Sequence, residues 1–88
     1  MIVTVTRTGG FAGMTRTREL DTAAVHDGKQ VEQAVRRIDP AQVPDNQPQP
    51  DRYRYRVVAE GTELSVAEQD LDRDSDLAWL VDRVLRQE

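Results

Sequence analysis

Arg52-Tyr53-Arg54-Tyr55-Arg56-Val57-Val58-Ala59 is the stretch that decides the fold. Tyr53, Tyr55 and Val57 share one side of it, and Arg52, Arg54 and Arg56 share the other. A period of two is the pattern of a strand with one buried face and one wet face. Downstream, Glu60-Gly61 has the form of a hairpin turn, after which Leu64 and Val66 alternate with Glu63 and Ser65 in a partner strand. The N-terminus repeats the pattern. Val3 and Val5 face one way there, and Ile2, Thr4 and Thr6 face the other. Beyond a glycine-rich stretch, Met14-Thr15-Arg16-Thr17-Arg18-Glu19-Leu20 is a more polar strand, suited to a sheet edge.

Between and after these hairpins the period changes to that of a helix. Val31, Ala34, Val35 and Ile38 fall on one helical face. Asp27-Gly28-Lys29-Gln30 before them has the form of a capping box, with Asp27 accepting from the third helical N–H and Gln30 reaching back. Asp39-Pro40 ends the helix, because the residue before proline is pushed out of the α region. Pro40, Pro44, Pro48 and Pro50 crowd residues 40–50, which predicts an extended connector with no hidden element, too short to divide domains. An acidic turn at residues 70–76 leads to a last helix capped by Asp74 or Ser75. Leu77, Leu80, Val81, Val84 and Leu85 form its apolar stripe, with Trp79 off its centre, to pack at the rim of the core or to serve an interface.

The order is ββαββα. It predicts one α+β domain over residues 1–88: a two-layer sandwich of a four-stranded antiparallel sheet with two helices on one face. The expected core is Val3, Val5, Leu20, Val31, Val35, Ile38, Tyr55, Val57, Leu64, Val66, Leu77, Leu80, Val81 and Val84.

Composition removes several functions. The 88 residues contain no cysteine, which excludes disulfides, thiolate metal sites and a thiol nucleophile. His26 is the single histidine and is expected at the surface before the helix, without chemistry to join. The run Asp70, Asp72, Asp74, Asp76 lacks the central glycine and closing glutamate of a calcium loop. No nucleophile, base and oxyanion set can be assembled, so neither an enzyme nor a bound cofactor or metal is expected. No apolar run approaches the roughly 20 residues of a membrane span, and the N-terminus lacks the regions of a signal peptide. A cytoplasmic, monomeric binding protein with no membrane partner is the expectation.

Charge is uneven. Residues 60–88 carry nine acids and three bases, against seven acids and nine bases in residues 1–59, for a net charge of −4. An acidic whole counts against a nucleic-acid partner. The alternative function is nonetheless a single-strand-binding module using Arg52, Arg54 and Arg56, with Arg16 and Arg18 alongside. Against it, the strand period turns the tyrosines inward as the arginines turn out. A solvated face balanced by Glu19 and Glu63 explains the same residues.

The loop Gly9-Gly10-Phe11-Ala12-Gly13-Met14 is richer in glycine than a turn demands. Its glycines allow positive φ and the close approach of another backbone. Phe11 and Met14 then serve as anchors for a partner's apolar pocket, or Phe11 folds back over the open end of the sheet. The segment Thr6-Arg7-Thr8-Gly9-Gly10-Phe11-Ala12-Gly13-Met14 resembles the N-terminal signature of the emfourin family. The likeness extends to the tyrosine strand after a proline connector and to Leu77-Ala78-Trp79-Leu80 in the last helix. The arginine-rich third strand and the long connector depart from it. The resemblance implies a protein inhibitor of thermolysin-like zinc metalloproteases of the protealysin type. It also implies that the inhibitor binds no metal itself. Such proteases favour a bulky apolar residue after the scissile bond, which Phe11 or Met14 would supply, so residues 9–14 are the expected protease-binding site.

Overall fold

Alternation becomes a strand at each of the four expected places. In the computed structural model, which describes residues 1–9, 13–44 and 52–87, β1 (Ile2–Gly9) pairs antiparallel with β2 (Met14–Asp21). β3 (Tyr53–Ala59) pairs with β4 (Thr62–Ala67) across a turn at Glu60 and Gly61. β1 then joins the two hairpins by lying antiparallel to β3, which gives the strand order β2-β1-β3-β4. The polar strand β2 is an edge, as its composition predicts.

Cross-strand partners share a face, so the register identifies the buried side. Val3 lies opposite Leu20, Val5 opposite Val57, Val57 opposite Leu64, and Tyr55 opposite Val66. All are buried. Two helices cover this side, α1 (Gly28–Arg37) through Val31, Ala34 and Val35, and a later one at Ser75–Leu85 through Leu77, Leu80, Val81 and Val84. Every residue of the expected core is buried, and Ala34, Ala59 and Ala67 join it. Trp79 stays 38% exposed at the rim.

The chain adds short elements too brief for periodicity to register. A single helical turn, α2 (Glu68–Leu71), precedes the last helix, now α3 (Ser75–Leu85), and a 3-10 turn occupies Thr22–Ala24. The connector is not wholly extended. It begins with a 3-10 turn at Pro40–Gln42, because Asp39, itself extended as a pre-proline residue, accepts a hydrogen bond from the Ala41 N–H. Residues 45–51 of the connector lie outside the described residues.

The two main helices start differently. Asp74 caps α3, accepting from the N–H groups of Asp76 at 3.0 Å and Leu77 at 3.1 Å. At α1 the expected capping box does not form, and Asp27 makes no side-chain cap. Its carboxylate is taken instead by Arg83 of α3, whose Nε and Nη2 donate at 2.7 and 2.9 Å. A bidentate, charge-assisted pair outweighs a neutral N–H donor. With Arg37 facing Asp76 at 3.8 Å, both ends of the antiparallel helix pair are tied.

The Arg83 guanidinium holds the Asp27 carboxyl below its usual range. A depressed folded-state value means that this stabilisation is complete above the unfolded aspartate value and is lost as pH falls through the folded one. Asp27→Asn should therefore cost about 1–3 kcal/mol at neutral pH. In urea melts, the gap between variant and parent should close in acid. A gap that persists at low pH would deny the pair its electrostatic role.

Candidate functional site

At one end of the sheet, Gly9 and Met14 form the last pair of the β1–β2 ladder. Gly9 has φ of +100° and Gly13 has φ of +64°, in the left-handed region that side chains resist. A Cβ on Gly9 would also come within 3.2 Å of the Arg52 carbonyl oxygen, whereas Gly13 faces open space. Crowding as well as angle therefore fixes glycine at residue 9. Met14 is 72% exposed. Gly10, Phe11 and Ala12 lie outside the described residues. Of the expected site, then, Gly9, Gly13 and Met14 are placed together at the free end of the first hairpin.

The open face of the sheet carries Arg54 and Arg56, as the strand period predicts, but lacks the two arginines expected beside them. Arg54 lies opposite Thr8, and Arg56 opposite Thr6, which is itself opposite Thr17. Arg16 and Arg18 are not on this face. The register sets Arg16 opposite Arg7 and Arg18 opposite Val5, on the helix side of the sheet. The continuous arginine surface does not form. Arg56 is paired with Glu63 across the β3–β4 hairpin. Arg52 donates to Glu68 at 2.8 Å, and the Tyr53 N–H donates to the same carboxylate at 3.2 Å. These bonds, Arg52's foremost, hold the Glu68 carboxyl below its usual range.

On the helix side, beside the glycine loop, the structure assembles a group that the sequence reading missed. Arg7 stacks over the Tyr53 ring at 4.4 Å from its centre. Arg16 donates to the Leu85 carbonyl at the end of α3, at 3.1 Å. Both arginines line a cleft of about 330 Å³ floored by Tyr55, Leu71, Val81 and Leu85. Burial pushes the Tyr55 hydroxyl above its usual value. One signal was available. Arg7 continues the odd-numbered series of Val3 and Val5, so it had to project to the same side.

The acidic run is dispersed by its structural tasks. Asp70 is buried and pairs with Arg73 at 3.3 Å, Asp74 caps α3, and Asp76 faces Arg37. Among the described residues, no group of three or more acids and histidines is placed to hold a metal ion. His26 is exposed. No helix among the described residues is long and apolar enough to cross a membrane.

No curated protein and no solved structure matches the chain. A family model described as Emfourin matches residues 5–85, nearly its whole length and both hairpins with their helices. On that match, the chain belongs to the emfourin family.

Proposed function

We propose that the protein inhibits a thermolysin-like zinc metalloprotease of the protealysin type by lodging residues 9–14 in its active-site cleft. Membership of the emfourin family supports the role of a protease inhibitor. The observation that carries the loop assignment is the setting of its flanks: Gly9 and Gly13 both at positive φ, beside an exposed Met14, at the end of a strand ladder. A loop tethered at both ends by paired strands loses little freedom on binding, which favours tight association. Gly9, Gly10 and Gly13 let the protease backbone come close, Ala12 adds little bulk, and Phe11 or Met14 fills the apolar pocket beyond the scissile bond. The inhibitor brings no catalytic group, cofactor or metal, and acts as a cytoplasmic monomer.

The open sheet face gives no comparable support to a nucleic-acid partner, since Arg52 and Arg56 are committed to Glu68 and Glu63. The test is direct. Purified protein is titrated into a protealysin-type enzyme while peptide hydrolysis is followed. Loss of hydrolysis near equimolar inhibitor is expected, with a serine protease unaffected. Undiminished hydrolysis at large excess would overturn the assignment.

A further inference from the structure

Arg7 and Arg16 stand directly opposite one another on neighbouring strands. Like charges in that position repel. The protein has acids to spare, sixteen against twelve bases, yet among the described residues no carboxylate pairs with either arginine. Two acids of this neighbourhood make their bonds to other residues. Asp82, on the rim of the cleft, is 3.0 Å from Arg86. Glu68 is bonded to Arg52 and the Tyr53 N–H, and the Arg7 charge adds to the lowering of its carboxyl without a direct bond to it. The direct contacts of the two arginines are with neutral groups: Arg7 with the Tyr53 ring and Arg16 with the Leu85 carbonyl.

We propose that this cleft receives a carboxylate side chain of the inhibited protease, an Asp or Glu beside its active-site cleft, as a second point of attachment. The inference rests on the inhibitor function proposed above. Two arginines lining one small cleft suit a carboxylate, which accepts paired N–H donors from arginine. The apolar residues Tyr55, Leu71, Val81 and Leu85 in its lining offer contact to the methylenes of that side chain. Position supplies the remaining argument. Along the same face of β1 and β2, the Gly9 and Met14 pair follows the Arg7 and Arg16 pair by two residues, or about 7 Å of strand. A partner seated on the loop therefore extends over the cleft.

The experiment compares the parent chain with Arg7→Gln/Arg16→Gln and with the single Arg16→Gln variant, whose changed residue is exposed. Inhibition constants and association rates are measured against a protealysin-type protease from low salt to about 0.5 M salt, where attraction between exposed charges is screened. Thermal melts establish that each variant is folded. The double variant should inhibit about tenfold or more weakly, with slower association and little remaining salt dependence. Arg16→Gln should show part of the same loss, which keeps the test intact if the double change disturbs the fold. Arg16→Lys should restore association more fully than tightness, since it keeps the charge and loses the fork. If the parent inhibits but folded variants match it in constant and salt slope, the carboxylate contact is wrong and the inhibitor function stands. If the parent does not inhibit at all, both fall. Salt-sensitive binding of a single-stranded oligonucleotide that depends on Arg7 and Arg16 would also overturn the proposal.

Discussion

Phe11→Ala is expected to weaken inhibition of a protealysin-type protease by roughly 30- to 1000-fold while leaving the melting temperature nearly unchanged. Phe11 is the chain's single phenylalanine and sits between Gly10 and Ala12. No strand or helix period requires it in the core. Gly9 and Met14, on either side of the segment in the sequence, are the last pair of the hairpin ladder. A central aromatic anchor lost from an interface costs about 2–4 kcal/mol of binding. A phenylalanine lost from a core costs about 3–5 kcal/mol of folding stability instead. Melting and inhibition measured on one preparation separate the two cases. A large fall in melting temperature, with inhibition preserved in the folded fraction, would make Phe11 structural. Gly10→Val should behave as the interface case, because a β-branched side chain there would hold the protease backbone away.

Gly28→Ala should destabilise the fold by on the order of 3 kcal/mol, although Gly28 opens a helix. Within a helix, alanine is ordinarily better than glycine by about 1 kcal/mol. Here a Cβ would lie 1.8 Å from the carbonyl oxygen of Thr22 and 2.8 Å from its carbonyl carbon. Those are backbone atoms with little room to yield. Thr22 is buried, its N–H donates to the Met1 carbonyl at 2.9 Å, and its hydroxyl donates to Glu32 at 2.6 Å. Relief would have to come from moving the start of α1, which disturbs the Asp27–Arg83 pair. Chemical denaturation of parent and variant measures the loss, and equal stability would show that the close approach is not a constraint. Inhibition by the folded fraction should persist, because Gly28 lies near the Met1 end of β1, away from Gly9.

Periodicity within a segment is a local property, and it carried the strands, the helices and the core. Val3 with Val5, Tyr55 with Val57, and Leu64 with Val66 each declare a buried side without knowledge of their neighbours. What one strand cannot declare is how its parity meets that of the next. Arg16 and Arg18 fell on the helix side because Gly9 pairs with Met14, and the length of the intervening loop determines that pairing. Asp27 looked like a cap because its immediate neighbours fit one. Its real partner, Arg83, is 56 residues away in the chain. Gly28 is required by a backbone that only tertiary folding brings near. At the candidate site, residue types pointed to an exposed glycine loop; Gly9 and Gly13 take positive φ and Met14 is exposed, while Gly10, Phe11 and Ala12 lie outside the described residues. The neighbouring arginine cleft depends on five segments meeting, β1, β2, β3, α2 and α3, and had no local signature beyond the odd-numbered position of Arg7.

The position of β1 between β2 and β3 has a consequence for the chain after a cut. Hydrolysis between residues 9 and 14 would sever the polypeptide without liberating a fragment. The N-terminal piece would remain the second strand of the sheet, with Val3 and Val5 fully buried and neighbours on both sides. Its departure would dismantle the core, which is an uphill process for any folded domain. The new carboxylate and amine would stay tethered near one another at the end of the ladder, so resealing would compete with escape. A nicked molecule would thus remain whole in shape and continue to occupy the enzyme that nicked it.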